Sequence, residues 1–263
     1  QRCFRQSLVS YSGVLRGKSV IIAGASFGLG AALAYGFAAE GAHLGLLARS
    51  ADRLGEVAAR CQELGGRALT VPGDVTRPED CARLLETVAS EFGAVDYLVA
   101  NAGVSMWARF DEVEDLEVFR HLMEVNYLGV VNCVYYALPH LKQSGGMIVA
   151  VSSIQGKISV PMHTGYAASK HALQGFCDAL RMELEDTGVD VLTVLLHWLR
   201  GTEGRQNALG GDGKARGDSA RKHSGESVSI EEASNAIMKA IGKRQRELVT
   251  PWKLKMLLGL QAI

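Results

Sequence analysis

From Ser19 onward the chain alternates short, uninterrupted apolar runs with longer amphipathic stretches, and this alternation limits its folding choices more than any other feature. The runs are Ser19–Ala23, His43–Ala48, Ala68–Gly73, Asp96–Ala100, Gly146–Ser153 and Val189–Leu196, with Glu247–Thr250 as a candidate last one. A strand that is apolar at consecutive positions is covered on both faces, which is the pattern of a parallel sheet. The stretches between them predict helices over Gly28–Glu40, Ala51–Leu64, Pro78–Phe92, Leu116–Leu141, Tyr166–Thr187 and Ile230–Ile241. Parallel neighbours need crossovers. Repeated right-handed β-α units give a single doubly wound α/β domain with helices on both faces of the sheet. No strong repeat and no linker divides the chain.

The chain's 263 residues are enough for one such domain with a sizeable core. Lys and Arg together number 28, as do Asp and Glu, so nothing in the charge balance points to nucleic acid. Cys3, Cys61, Cys81, Cys133 and Cys177 show no C-x-x-C spacing, which argues for reduced thiols in a cytoplasmic setting and against a metal site. No apolar run reaches the roughly 18 residues of a membrane span. Residues 1–16 read as an N-terminal extension without Met and without signal-peptide character, which leaves the native start open.

Residues 202–228 are rich in Gly, Lys, Arg and Ser and lack periodicity, which predicts a flexible substrate loop. The tripeptide Arg216-Gly217-Asp218 within it is a chance match to an adhesion motif. The apolar closing segment, 251–263, is read as packing; a pocket-capping helix, an oligomer contact or a membrane-peripheral contact are the alternatives.

Between the first run and its helix stands AGASFGLG, with Gly24, Gly28 and Gly30 spaced G-x-x-x-G-x-G. Glycines permit the tight turn and let backbone approach a pyrophosphate, while the helix N–H groups and dipole favour the anion. Ser26, Phe27 and Leu29 belong to the same loop. The glycines alone could be packing punctuation, but the strand before and the helix after them supply the context of a dinucleotide site.

At this point the chain resembles the short-chain dehydrogenase/reductase family, and the resemblance then extends through nearly all of it. Gly73-Asp74-Val75 looks like the family's adenine-side aspartate segment, and Ala100-Asn101-Ala102-Gly103 resembles its N-N-A-G motif with Ala100 in place of the first Asn. Asn126-Tyr127-Leu128-Gly129 resembles the segment with its helix-embedded catalytic Asn, and Ser152-Ser153 followed by Tyr166-Ala-Ala-Ser-Lys170 resembles its most specific signature. LLARS, VNYLG and YAASKHA are similar to the hydroxysteroid and ketosphinganine reductase branches, which implies a lipid or steroid-like substrate.

Tyr166 and Lys170, four apart, share a helix face. An ammonium beside a tyrosine stabilises phenolate and suits it to acid–base work. The resemblance implies Tyr166 as acid–base, Lys170 as both tuner and ribose ligand, Ser153 as holder of the substrate oxygen and Asn126 as anchor of a water in the proton path. It also implies Thr202 near the nicotinamide amide and a homodimer or homotetramer paired through the helices over Leu116–Leu141 and Tyr166–Thr187.

The activity so implied is hydride transfer between nicotinamide and a carbonyl or alcohol carbon. Ala48 and Arg49 stand where an NAD enzyme carries a carboxylate, and a guanidinium with Ser26 and Ser50 suits a 2′-phosphate, so NADP(H) is expected over NAD(H). Asp52 lies further along and is the alternative acidic group. His197-Trp198 replaces the family's Pro-Gly, which keeps a second reading open, a catalytically weak or inactive NADP(H)-binding regulator on the same fold. His163 is read as a solvated loop residue, with a place lining the substrate pocket as the alternative. Met106 and Trp107 either line the pocket mouth or pack locally.

Overall fold

The computed structural model describes residues 14–203, 206–217 and 227–256. In chain order these form β1 (Ser19–Ala23), α1 (Gly28–Ala39), β2 (His43–Ala48), α2 (Ala51–Glu63), β3 (Arg67–Pro72), α3 (Pro78–Phe92) and β4 (Tyr97–Ala100). There follow α4 (Glu117–Met123), α5 (Gly129–Ser144), β5 (Met147–Ser153), α6 (Thr164–Glu183), β6 (Asp190–Leu196), β7 (Leu199–Arg200), β8 (Val228–Ser229), α7 (Ile230–Gly242) and β9 (Glu247–Thr250). Seven strands make a parallel sheet in the order β3-β2-β1-β4-β5-β6-β9. The chain moves outward from β1 to β3, then returns to lay β4 against β1. That reversal opens a crevice at the carboxyl ends of β1 and β4, where open α/β sheets bind ligands.

The inner strands feed two cores, which is why their apolar runs have no gaps. Val20 and Ile22 of β1 join Leu33, Phe37, Val149 and Ile237 on one face, while Ile21 and Ala23 join Leu84, Leu98, Ile148 and Leu173 on the other. Local signals set the helix ends. Ser50 caps α2, Pro78 opens α3, left-handed Gly93 closes it, and Ser229 with Glu232 forms a capping box on α7.

The structure adds detail to the sequence expectations in four places. The helix over Leu116–Leu141 is interrupted by a π turn, Glu124–Leu128, and extends to Ser144. The helix carrying Tyr166 begins at Thr164, and its last turn, Glu185–Thr187, is a tighter 3₁₀ turn. The described part of the 202–228 segment is tied down: the Trp107 N–H donates to the Leu209 carbonyl at 2.8 Å and Arg216 Nη1 to the Trp107 carbonyl at 2.9 Å, while β8 pairs with β7. Cys81 and Cys133, distant in sequence, bring their Sγ atoms to 3.6 Å in the core.

Leu15, at the end of the N-terminal extension, is fully buried, and Leu254 packs with Ile154, Leu195 and Val249. Cys3, Asp218 and residues 257–263 lie outside the described residues. Among the described residues, no helix is long and apolar enough to cross a membrane.

Candidate active site

The crevice is a cleft of about 960 Å³. Of the residues chosen from sequence, Gly24, Ser26, Phe27, Gly28, Leu29, Arg49, Ser50, Asp74, Val75, Asn101, Ala102, Gly103, Ser153, Tyr166, Lys170 and Thr202 line it. Gly30 and Asn126 stand behind its wall, and Asp52 does not line it.

The turn after β1 is built by close approach. Gly24 has φ +83°, and a Cβ on it would lie 2.7 Å from the Ala102 backbone. A Cβ on Gly30 would lie 2.0 Å from the Gly24 carbonyl oxygen, to which Asn101 Nδ2 donates at 2.8 Å. Gly24, Gly30, Asn101 and Ala102 thus lock the β1 turn to the β4 turn. Gly28, with φ +58°, opens α1. Phe27 at the N-cap makes no side-chain capping bond, and no acidic residue sits in the first turn. The N–H groups at this end of α1 lie at the cleft and the Phe27 side chain does not cap them, a setting that fits a dinucleotide's pyrophosphate.

At the β3 end, Asp74 Oδ1 accepts from both the N–H and the hydroxyl of Thr76 at 3.0 Å. The Asp74 N–H donates to Asp80 Oδ2 at 2.8 Å, and this bond, opposed by burial and aided by the Arg83 pair, lowers the Asp80 pKa. Asp80 escaped the sequence reading because its task is to organise this turn.

Ser153 ends β5. Its hydroxyl donates to the Leu196 carbonyl at 3.3 Å, accepts from the Gln155 N–H at 3.2 Å, and meets the Tyr166 hydroxyl. Burial raises the Tyr166 pKa above that of a free phenol, and the Ser153 bond works against that. Lys170 Nζ donates to the Val151 carbonyl at 3.1 Å and lies 5.9 Å from the Tyr166 ring centroid. Burial pulls the lysine down to about 8. Asn126 sits in the π turn, a distortion that recurs at functional sites. Gly103 separates Asn126 from Lys170: a Cβ there would lie 3.2 Å from Asn126 Oδ1 and 3.7 Å from Lys170 Nζ.

The far wall corrects one expectation. His163, read as solvated, is 1% exposed. Its ring lies 4.9 Å from that of Trp107, 5.4 Å from Trp198 and 6.2 Å from Tyr166, centroid to centroid. Trp198 faces the cleft, and Trp107 and His163 back it. Of the two readings for residues 106 and 107, local packing describes Met106, which is fully buried, while Trp107 supports the pocket wall. The His197 N–H donates to the Thr250 carbonyl at 3.0 Å, a bond that a proline could not make. His121 and Arg53 also line the cleft and were not singled out from sequence. For Arg53 the usable signal was its place four residues beyond Arg49, in the first turn of α2.

The family model for short chain dehydrogenases matches residues 18–209. The 11-beta-hydroxysteroid dehydrogenase-like 3 of Arabidopsis thaliana is 40% identical over 183 residues, covering 69% of this chain and 59% of that protein. The 11-beta-hydroxysteroid dehydrogenase 1A of the same plant is 41% identical over 194 residues, 72% and 56% of the two chains. The 11-beta-hydroxysteroid dehydrogenase of Pinus massoniana is 34% identical over 200 residues, 75% and 56%. The chain thus spans somewhat over half the length of these relatives. Among solved structures, an alcohol dehydrogenase from the archaeon Thermococcus sibiricus, complexed with 5-hydroxy-NADP, superposes with a TM-score of 0.75 at 28% identity, covering 88% of this chain and 95% of that one.

Proposed function

Because the chain belongs to the short-chain dehydrogenase family, we propose that it is an NADP(H)-dependent oxidoreductase acting on a carbonyl or alcohol carbon, with Ser153, Tyr166 and Lys170 as its catalytic residues. The observation that carries this reading is that all three line the same cleft as the glycine turn, at its other end. The cleft draws on strands from both halves of the sheet, so the whole is read as one Rossmann-type unit.

When bound, the nicotinamide supplies or accepts the hydride. The chain's own groups handle the oxygen and its proton. Ser153 Oγ donates to the substrate oxygen and holds it beside Tyr166, whose Oη delivers a proton to that oxygen in reduction or removes it in oxidation. A buried phenol is a reluctant acid–base group, and the buried ammonium of Lys170 opposes that reluctance by stabilising phenolate. Asn126 acts from behind by fixing the loop after β4. Gly24, Ser26, Gly28, Leu29 and Gly103 bound the cofactor's path, Asp74 and Val75 its adenine end and Thr202 its amide end, while Gly30 and Asn101 hold the turn.

NADP(H) is preferred because Arg49 and Ser50 line the β2 end of the cleft, whereas Asp52 does not. The Thermococcus relative's NADP derivative and the hydroxysteroid names of the plant relatives point the same way for cofactor and substrate. Trp198, Val160, Leu199 and Leu209 give the substrate side an apolar, aromatic wall, which suits a steroid-like or other lipid carbonyl.

The alternative, a non-catalytic cofactor-binding regulator, drew its support from His197-Trp198. Both residues are accommodated in a packed wall, so the enzymatic reading is preferred. The test is turnover of NADPH across a panel of steroid and lipid ketones. Tyr166→Phe should abolish turnover and leave cofactor affinity nearly unchanged, because only the transferable proton is lost. Lys170→Ala should damage both. Retention of most activity by Tyr166→Phe would refute the assigned chemistry.

A further inference from the structure

The rim of the cleft at the β2 end carries a three-residue arrangement that the proposed mechanism does not use. The Arg53 guanidinium lies over the Phe27 ring, its Cζ 5.5 Å from the centroid. Its Nη1 meets Glu203 Oε2 at 3.1 Å, and all three residues line the cleft together with Arg49 and Ser50. Phe27 is an exposed aromatic at the N-cap of α1, where a polar residue ordinarily stands. An exposed phenyl ring at that place is explained by the cation it supports.

Resting on the reading that the cofactor is NADP(H), we propose that Arg53 is the second guanidinium that recognises the 2′-phosphate, beside Arg49, with Phe27 as its platform and Glu203 as its exchangeable counter-ion. Four observations carry this. Ser50 caps α2 by accepting the Arg53 N–H, which places Arg53 in the first turn of α2, itself an end that favours anions. Cation–π support leaves the guanidinium's in-plane N–H groups free to point at a ligand, so Phe27 fixes its place without using its donors.

The Glu203 contact is a single N–O approach between side chains 48% and 44% exposed, the kind of ion pair that exchanges readily. A phosphate near a double negative charge offers the fork of an arginine more acceptor oxygens than this one-point contact does. The other carboxylate lining the cleft, Asp74, is engaged by Thr76. Glu203 is therefore the negative group that a 2′-phosphate would have to displace.

The experiment is equilibrium binding of 2′,5′-ADP and of 5′-AMP to the whole chain, followed by tryptophan fluorescence or calorimetry without turnover. Wild type should prefer 2′,5′-ADP. Arg53→Gln should cut that preference about tenfold, mostly through 2′,5′-ADP, as expected for one lost charge-assisted contact. Glu203→Gln should strengthen 2′,5′-ADP binding several-fold and leave 5′-AMP unchanged. Phe27→Leu should weaken the preference in the wild-type background and add nothing once Arg53 is replaced, because the two residues act as a unit.

A wild type with no preference for the 2′-phosphate overturns the NADP(H) reading together with this proposal. A wild-type preference that Arg49→Gln abolishes and Arg53→Gln leaves intact overturns this proposal alone. So does an Arg53→Gln chain that loses both ligands equally.

Discussion

Asn126 holds Val104 by both of its backbone groups: its Oδ1 accepts from the Val104 N–H at 2.8 Å, and its Nδ2 donates to the Val104 carbonyl at 2.9 Å. The same Nδ2 donates to Ser169 Oγ at 2.9 Å, and Ser169 in turn donates to the Tyr166 carbonyl at 2.8 Å. One fully buried carboxamide therefore joins the loop after β4 to the helical turn that carries Tyr166.

Replacing Asn126 should cost stability as well as activity. Asn126→Ala strips both Val104 backbone groups and Ser169 Oγ of a partner at a fully buried side chain, a loss of about 3 kcal/mol, since unsatisfied buried groups cost more than the bonds themselves contribute. For a chain of this size that lowers Tm by roughly 6–12 °C. Asn126→Asp should behave similarly, because a carboxylate accepts from the Val104 N–H but cannot donate to its carbonyl. Thermal melts together with kcat check this; a variant with wild-type Tm would show that the clamp contributes nothing.

How far the sequence showed this in advance depends on the range of each interaction. The seven strands of the main sheet follow from local periodicity and stand where it put them, and the glycine turn and the Tyr166–Lys170 pair are read from local spacing, whereas the short β7–β8 pair follows from neither. The π turn at Asn126 was hidden because a five-residue helical bond leaves no mark on a 3.6-residue period. His163 was misread because its neighbours, Trp107 and Trp198, come from two distant loops. The Arg53–Glu203 pair bridges 150 positions, and Cys81–Cys133 bridges 52. Such contacts are made by topology, and a single sequence without that topology carries no signal for them.

The apolar surface of α5 and α6 predicts self-association. Tyr135 and Met182 are each 72% exposed, and Leu128, in the π turn before α5, is 37% exposed. These helices are the ones expected to pair between subunits. Light scattering at micromolar protein should give a dimer or tetramer mass, and Tyr135→Glu with Met182→Glu should lower it. A monomeric wild type would remove the expectation.

Two glycine replacements should have opposite signs. Gly55 lies exposed within α2, with nothing within 4 Å of an added Cβ, so Gly55→Ala should stabilise by about 0.5–1 kcal/mol through helix propensity. Gly30→Ala would drive its Cβ to 2.0 Å from the Gly24 oxygen and push apart the interlocked turns. It should lower Tm and abolish dinucleotide binding together. Equal melts for the two variants would contradict the close approach.

Burial of Lys170 sets a pH dependence whose sign can be worked out. Its pKa falls from 10.5 in a free lysine to about 8 in the folded chain, because burial penalises the ammonium. Between those values the unfolded chain binds the proton and the folded chain does not, so stability rises with pH across that window. Below about 8 the folded state carries the whole cost of the buried charge, about 3 kcal/mol, and above 10.5 it carries none of it. Tyr166 acts in the opposite direction. Its raised pKa contributes stability that is present below the free-phenol value of 10 and is lost as pH rises through the folded value, at the upper end of the lysine's window. The informative quantity is therefore the difference between Lys170→Met and wild type in denaturant midpoints between about pH 7 and 11. Lys170→Met should be the more stable chain near neutrality, with its advantage shrinking steadily from about pH 8 to 10.5. A difference that stays constant with pH would mean that Lys170 keeps an ordinary lysine pKa in the folded chain.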